Sequence, residues 1–579
     1  MAGLLLIPFL TATVRASWTR LLALVGLLSV LRVVAASNLT ACLADIRVKY
    51  LGQSGGTDHA GNPTIIDGST TAITYGLCVK ECGGDAEPFV WNIFSQQFSA
   101  WLLPYLALIA QLPFGANDKL DNVTAVLLSL GSPTLAAYSL ALTVLNGHWI
   151  ARRFSRFSYP NVRSAVQILS SLQQTPIKVT TEGSLLASLI VLPENDEWWR
   201  ELVIWLDYTH TWSISSVASL IWVTIAFVFT VIDSFTGTIP SSTLNASGQG
   251  VGSVYLWLLP VVIGWLQLSP KCDSERLHRA VRRANDEAYV ASADGAAIPA
   301  SAVSPNRAIS LATFAGAVHR DEQCSPPIYN YARFLPWVQA VEAVHGVFRE
   351  AAARAERHLP RGEGVRPGNR RGTRAQVEAY VRDTCLSPRG YWGPGMFSRF
   401  FVASLMALAL TWSTTGAAVI VVWFTPTRGL GCRSGAYILY GALSTLVWLL
   451  LVTSSALAHY STHYTTDAEG HRTYARATRL AGVLAIVLRR LGKLLGAANA
   501  AWIVVACVFQ FASFWDRCYC NSSVLGLGAR AYNVIQLVPA DTAAMKAAWA
   551  GAVVLAGGCA ALFVAFVNIF INPPLPDGN

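Results

Sequence analysis

Seven stretches of the chain, 98–114, 123–147, 251–269, 400–424, 435–457, 498–514 and 547–571, contain no Asp, Glu, Lys or Arg, and an eighth, 213–233, meets only Asp233 at its edge. A hydrocarbon core about 30 Å thick demands runs of this kind, because no water there can satisfy an open backbone and a helix must close its own hydrogen bonds. They predict an all-α fold, a polytopic transmembrane helical bundle of about eight spans, with short amphipathic helices in the connecting loops. Composition agrees: 53% of residues are hydrophobic and 13% charged, whereas soluble domains carry about 25% charge. Pro104 weakens the first run, and Gly131-Ser-Pro133 predicts a kink or break in the second. Ala552, Ala556 and Ala560 form a small-residue stripe that lets another helix approach closely.

Residues 1–36 read as a signal peptide, with a signal anchor as the alternative, since Val34 and Ala36 give a small-residue cleavage pattern behind an apolar run. The predicted order is then a small extracytosolic Cys-containing segment (37–90), a four-span membrane region (91–269) with an interfacial helix at 194–210, and a basic, partly disordered extramembrane loop (270–399). A second four-span region (400–571) and a tail (572–579) follow.

The net charge of +10 is not evenly spread. The loops at 148–212, 270–399 and 458–497 hold 31 Lys and Arg, and those at 115–122, 234–250, 425–434 and 515–545 hold 5. Positive charge near span ends marks the cytosolic side, so the first set is expected in the cytosol, and the membrane is expected to be one of the secretory pathway (endoplasmic reticulum, plasma or vacuolar). A conflict follows. A cleaved leader puts residue 37 outside, and two full spans then leave residue 151 outside as well, among basic residues. Either the first span is re-entrant, the break at Gly131-Ser-Pro133 alters the count, the leader is retained, or the orientation is reversed.

With the basic loops inside and the N-terminus outside, the disulfide candidates are Cys42, Cys78, Cys82, Cys432, Cys518 and Cys520. In the reversed orientation Cys272, Cys324 and Cys385 replace the last three, and both sets number six, so pairing arithmetic is silent. Sequons at Asn38, Asn245 and Asn521 are candidate glycosylation sites.

Residues 192–212, LPENDEWWRELVIWLDYTHTW, concentrate acids and tryptophans. Helical numbering makes Trp198, Trp199, Trp205 and Trp212 an interfacial anchor at headgroup level. It also makes Glu197 and Glu201 an acidic docking face for Arg276–Arg283 or Arg472–Lys493. Asp207 and His210, three apart, are the weak catalytic candidates, a carboxylate-oriented histidine. The run 474–495, apolar and then basic, reads as an interfacial amphipathic helix with possible anionic lipid headgroups as partners.

No motif for nucleic acid, nucleotide, metal or other cofactor is found. Gly52-Gln-Ser-Gly-Gly56 matches a nucleophile elbow only formally, lacking the strand and helix that would strain it. The membrane runs carry no ionisable residue at depth, which lowers ion-coupled transport. The expectation is an integral membrane protein with a structural, scaffolding or sensor-like role. A channel or carrier for a neutral or organic substrate is the alternative, and a membrane-embedded enzyme comes third.

Several runs, FSQQFSAWLLPYLALIAQLPFG (94–115), GSPTLAAYSLALTVLN (131–146), LSSLQQTP (169–176), the stretch 192–212 and GQGVGSVYLWLLPVVIGWLQLSPKCDS (248–274), resemble an uncharacterised family of multi-pass membrane proteins of filamentous fungi. That resemblance implies a fungal polytopic protein and carries no functional residue.

Overall fold

The computed structural model describes residues 39–83, 102–115, 118–180, 184–208, 212–236, 251–312, 316–358, 370–382, 392–462, 465–466, 472–511 and 514–575. The chain first builds a small cap from helix α1 (Leu39–Lys49), strands β1 (Ser54–Thr57), β2 (Pro63–Ile65) and β3 (Ala72–Thr74), and helix α2 (Tyr75–Cys82). Leu43, Ile46, Ile66 and Ile73 fill its centre. A core so small gains from covalent closure: Cys42–Cys82 lies within the cap and Cys78–Cys518 ties it to a later segment, which Cys432–Cys520 ties in turn to residue 432. Cys272 and Cys324 stay unpaired and buried elsewhere.

Helices α3 (Leu103–Ile109), α4 (Lys119–Gly131) and α5 (Pro133–Phe154) follow. Asp118 caps α4, its carboxylate accepting from the Leu120 N–H at 2.9 Å. At Ser132 the chain turns by 104°, because Pro133 supplies no N–H to the helix and restricts the residue before it. The outer end of α4 places Asp121 3.9 Å from Arg320, and at the outer end of α5 Arg153 grips Glu342 through two bonds of 3.0 Å. Arg320 and Glu342 both belong to the 270–399 segment, so the pair enters from one face and returns to it. Gly115, just ahead of α4, is on that face too, its carbonyl accepting from the Ser325 hydroxyl at 3.1 Å.

On this basic face α6 (Val162–Ser171), β4 (Ile177–Val179), α7 (Leu185–Val191) and α8 (Asp196–Leu206) precede two more apolar elements, α9 (Ile214–Thr236) and the interrupted α10 (Val251–Leu256) and α11 (Leu258–Leu268). The chain then adds α12 (Ser274–Asp286), β5 (Tyr289–Ala291), β6 (Ala297–Pro299), β7 (Ile309–Leu311), α13 (Asn330–His358) and α14 (Arg374–Arg382). Strand β4 pairs antiparallel with β7, and β5 with β6. The 270–399 segment is therefore not a set of helices draped separately on the membrane. Together with residues 155–208 it forms a platform whose buried face, including Trp198, Trp199, Trp337 and Phe348, is continuous with the membrane helices.

The chain ends with α15 (Met396–Trp423), α16 (Cys432–Ser461), α17 (Arg476–Phe511), β8 (Tyr532–Val534) and α18 (Pro539–Phe570). Strand β8 pairs with β3 of the cap, giving a sheet ordered β8-β3-β1-β2.

The protein is mostly helical, as expected, but eight spans are not supported. Among the described residues four helices are long and apolar enough to cross a membrane, Ile214–Ile232, Met396–Trp423, Cys432–Ser461 and Pro539–Phe570, and the bent α4–α5 pair, if it is one span, makes a fifth. The expected span 98–114 contributes only seven helical residues among those described, and 251–269 is interrupted between Leu256 and Leu258. The expected span 498–514 and the expected interfacial helix 474–495 are one 36-residue helix, α17, whose first half carries Arg489, Arg490 and Lys493.

Candidate functional site

The acidic stretch folds as the sequence pattern dictates but faces the other way. Asn195 anchors its start: the buried amide donates to the carbonyls of Ser188 (2.8 Å) and Tyr289 (3.0 Å) and accepts from the Tyr289 N–H (2.8 Å). That fixes the rotation of α8 so that Trp198, Trp199, Leu202 and Leu206 point inward. Trp198 and Trp199 are fully buried, donating from their indole nitrogens to Asn285 Oδ1 and the Leu189 carbonyl. They are core residues of the platform and not headgroup anchors, because α12, α13 and α7 cover the face that helical numbering alone leaves open. Trp205 is half-buried beneath the Arg283 guanidinium, 3.9 Å away, and Trp212 is exposed just before α9.

The docking acids also differ from expectation. Glu197 pairs with Arg200 on its own helix, and Glu201 accepts from the Trp205 indole. The acids that tie loops together are Asp196, held by both terminal nitrogens of Arg370 at 2.7 Å, and Glu194, 2.7 Å from Arg371. Glu194 precedes α8 and Asp196 begins it, and both arginines lie just ahead of α14.

Beyond α8 the chain opens a cleft of ≈ 670 Å³, with Gln167, Ser170, Ser171, Asp207, Lys271 and Asn572 among its polar walls. The exposed Asp207 is thus the one catalytic candidate placed in a cavity; His210 lies outside the described residues. The charged neighbour of Asp207 is Lys271, which donates to the Tyr208 carbonyl and packs 4.9 Å from that ring. Burial lowers the Lys271 pKa, opposed by the charge of Asp207.

A second polar group was not visible in the sequence. Buried Asp321 accepts from Lys493 at 2.6 Å and from the Tyr331 hydroxyl, with Arg489 at 3.7 Å. Arg489 also donates to the Val318 carbonyl at 2.7 Å. Two of the cations expected to meet anionic lipid at 474–495 therefore serve the protein interior, while Arg476, Arg479 and Arg490 remain exposed. Nearby, burial pushes the Cys324 thiol up to about 12, as it does that of Cys272, so neither is a nucleophile at neutral pH.

At the cap, His59 bridges the Asp541 carboxylate and the Thr71 hydroxyl, the latter at 2.6 Å. Asp541 also accepts from the Val538 N–H at the start of α18, so this trio clasps the cap to that helix. Ser54 of the formal elbow motif opens β1 opposite Ile65, not a strained turn. Asn521 is buried and donates to the Val534 carbonyl at 3.3 Å, which leaves no room for a glycan; Asn38 and Asn245 lie outside the described residues. Among the described residues no group of three or more His, Cys, Asp or Glu is placed to hold a metal. Comparison with protein families, curated proteins and solved structures finds no match.

Proposed function

We propose that this chain is an integral membrane scaffold of sensor type, a disulfide-bonded cap on one side of the bilayer held in fixed register with a basic platform on the other. The observation that carries this reading is the pair Cys78–Cys518 and Cys432–Cys520, which join the cap to the segment between α17 and α18 and that segment to the first residue of α16. A carrier that alternates access rocks one bundle against another and opens each face in turn; these links oppose opening of the cap face. Packing at the α4–α5 break supports the same reading. Asn499 donates to the carbonyls of Gly131 (2.7 Å) and Tyr440 (3.0 Å), and Ser132 donates to that of Ser444 (2.8 Å). The freed backbone groups are satisfied by neighbouring helices, not left for water.

The disulfides and the positive charge on opposite faces favour an extracytosolic cap and a cytosolic platform, in a membrane of the secretory pathway. The return of α5 to the face of α4 removes one crossing, which makes a cleaved leader compatible with cytosolic basic loops. Membership of the fungal multi-pass family rests on the sequence runs alone. The second reading, a carrier or channel for a neutral solute, draws on the discontinuous α4–α5 pair, a device transporters use. Spin-label pairs decide between them: Ile204 with Val483 on the basic face, and Val48 with Leu525 on the cap face, all exposed. In nanodiscs a scaffold gives one narrow distance distribution for each pair. Two populations that exchange reciprocally between the faces would favour the carrier.

A further inference from the structure

The cleft beside Asp207 has a geometry that the scaffolding reading does not use. Three helices end at it: α8 at Leu206, α11 at Leu268 and α18 just before Ile571, and these residues line its wall. Each C-terminus leaves unpaired carbonyls and about half a negative charge. Asp207 adds a full one, and Ser170, Ser171, Gln167 and Asn572 add further acceptors. In the middle of a face rich in arginine, this pocket is therefore built to receive a cation. Among the described residues its single lining cation is Lys271, held to one side by the Tyr208 carbonyl and the Tyr208 ring.

The remaining walls are apolar: Val166, Ile168, Val203, Leu206, Leu268 and Leu575. They stand where two apolar helices, α11 and α18, end beside the surface helices α6 and α8, which on the membrane reading is the level of the lipid headgroups. A volume of ≈ 670 Å³ falls within the range of about 300–1,000 Å³ typical of small-molecule sites.

We propose that this cleft binds the headgroup of a zwitterionic amphiphile, its ammonium against Asp207 and the three helix ends, its phosphate toward Lys271, and its acyl chain along the apolar wall. Such binding holds whether the bundle is rigid or rocks, so it stands or falls separately from the scaffolding reading. The same chemistry could come from a membrane phospholipid or from a soluble phosphodiester, and the apolar wall selects the lipid.

The test uses the full chain purified in maltoside and titrated with fluorescent lysophosphatidylcholine, lysophosphatidylglycerol of the same chain length, and soluble glycerophosphocholine as competitor. The expected result is saturable binding of the zwitterionic lipid, at least tenfold weaker for the anionic one, with little competition by the soluble diester. Asp207→Asn weakens binding at least tenfold, Lys271→Gln weakens it less, and Asp58→Asn in the cap leaves it unchanged, all with unaltered melting curves. If Asp207→Asn melts differently, Gln167→Leu provides the second reading of the same wall. Preference for the anionic lipid, unsaturable partition of both lipids, full competition by glycerophosphocholine, or binding indifferent to Asp207 and Gln167 overturns the proposal.

Discussion

Gly131 sits where two helices meet more closely than side chains permit: a Cβ placed there would lie 1.8 Å from the carbonyl oxygen of Gly496. The obstacle is backbone, so it cannot rotate away, and overpacking of this kind costs about 1–3 kcal/mol or more. Gly131→Ala is expected to lower the melting temperature of the detergent-solubilised protein by several degrees, whereas Gly551→Ala, which meets open space, leaves it unchanged. His345 offers a test of a different kind. Packed against Phe154 and Phe157 and 5% exposed, it has its pKa lowered to about 4 by burial, with Arg153 and Arg349 adding to the shift. Its ordinary value is about 6.5, so the folded state excludes a proton that the unfolded state takes up. The stability it confers is complete above pH about 6.5 and is lost as the pH falls toward 4, by about 3 kcal/mol in all. Melting temperature measured across that window is expected to fall less steeply in His345→Gln than in the parent chain; parallel curves would remove His345 from the account.

At the scale of elements, α17 shows both what the sequence revealed and what it hid. The uncharged runs marked the apolar helices correctly wherever a run and a helix coincide, as at α15, α16 and α18. In α17 the run begins only after Lys493, and the helix begins at Arg476. Nothing local explains how Arg489 and Lys493 can lie in the middle of such a helix; the explanation is Asp321, more than 160 residues away, buried against both. Trp198 and Trp199 were misplaced for a similar reason, since the helices that cover them come from distant parts of the chain. The cysteines were legible only as a set: their spacing names no pairing, and Cys78–Cys518 spans 440 residues. Asp321→Asn should leave two cations without their carboxylate at a cost of about 3 kcal/mol, because breaking a buried pair from one side strands the other charge. The double variant Asp321→Asn, Lys493→Met is expected to lose clearly less than the sum of the single losses, read from melting or denaturant titration in micelles. Additive losses would mean that α17 docks without that pair.

For the molecule as a whole, the decisive relation is that disulfides and basic loops occupy opposite faces. Each alone leaves the orientation open, because six cysteines fall on the outside in either assignment and the positive-inside bias conflicts with two full crossings after the leader. On the proposed reading they agree once α4 and α5 are counted as an excursion from the platform face and not as a crossing. Residues 78 and 82 then share a compartment with 432, 518 and 520, while Arg153, Arg320 and Glu342 share the other. An epitope inserted at Gly68, where the turn between β2 and β3 meets open space, should be protected from protease in sealed microsomes. One inserted at the exposed turn Pro305–Asn306 of the platform should be cut. The reverse pattern would turn the molecule over and place its disulfides in a reducing compartment, where glutathione opposes them. Equal protection of both sites would mean that cap and platform share a compartment, and the α4–α5 excursion would then have to be a true crossing. Only the first outcome lets the three disulfides form where oxidation permits and keeps the arginines of the platform beside the cytosolic leaflet.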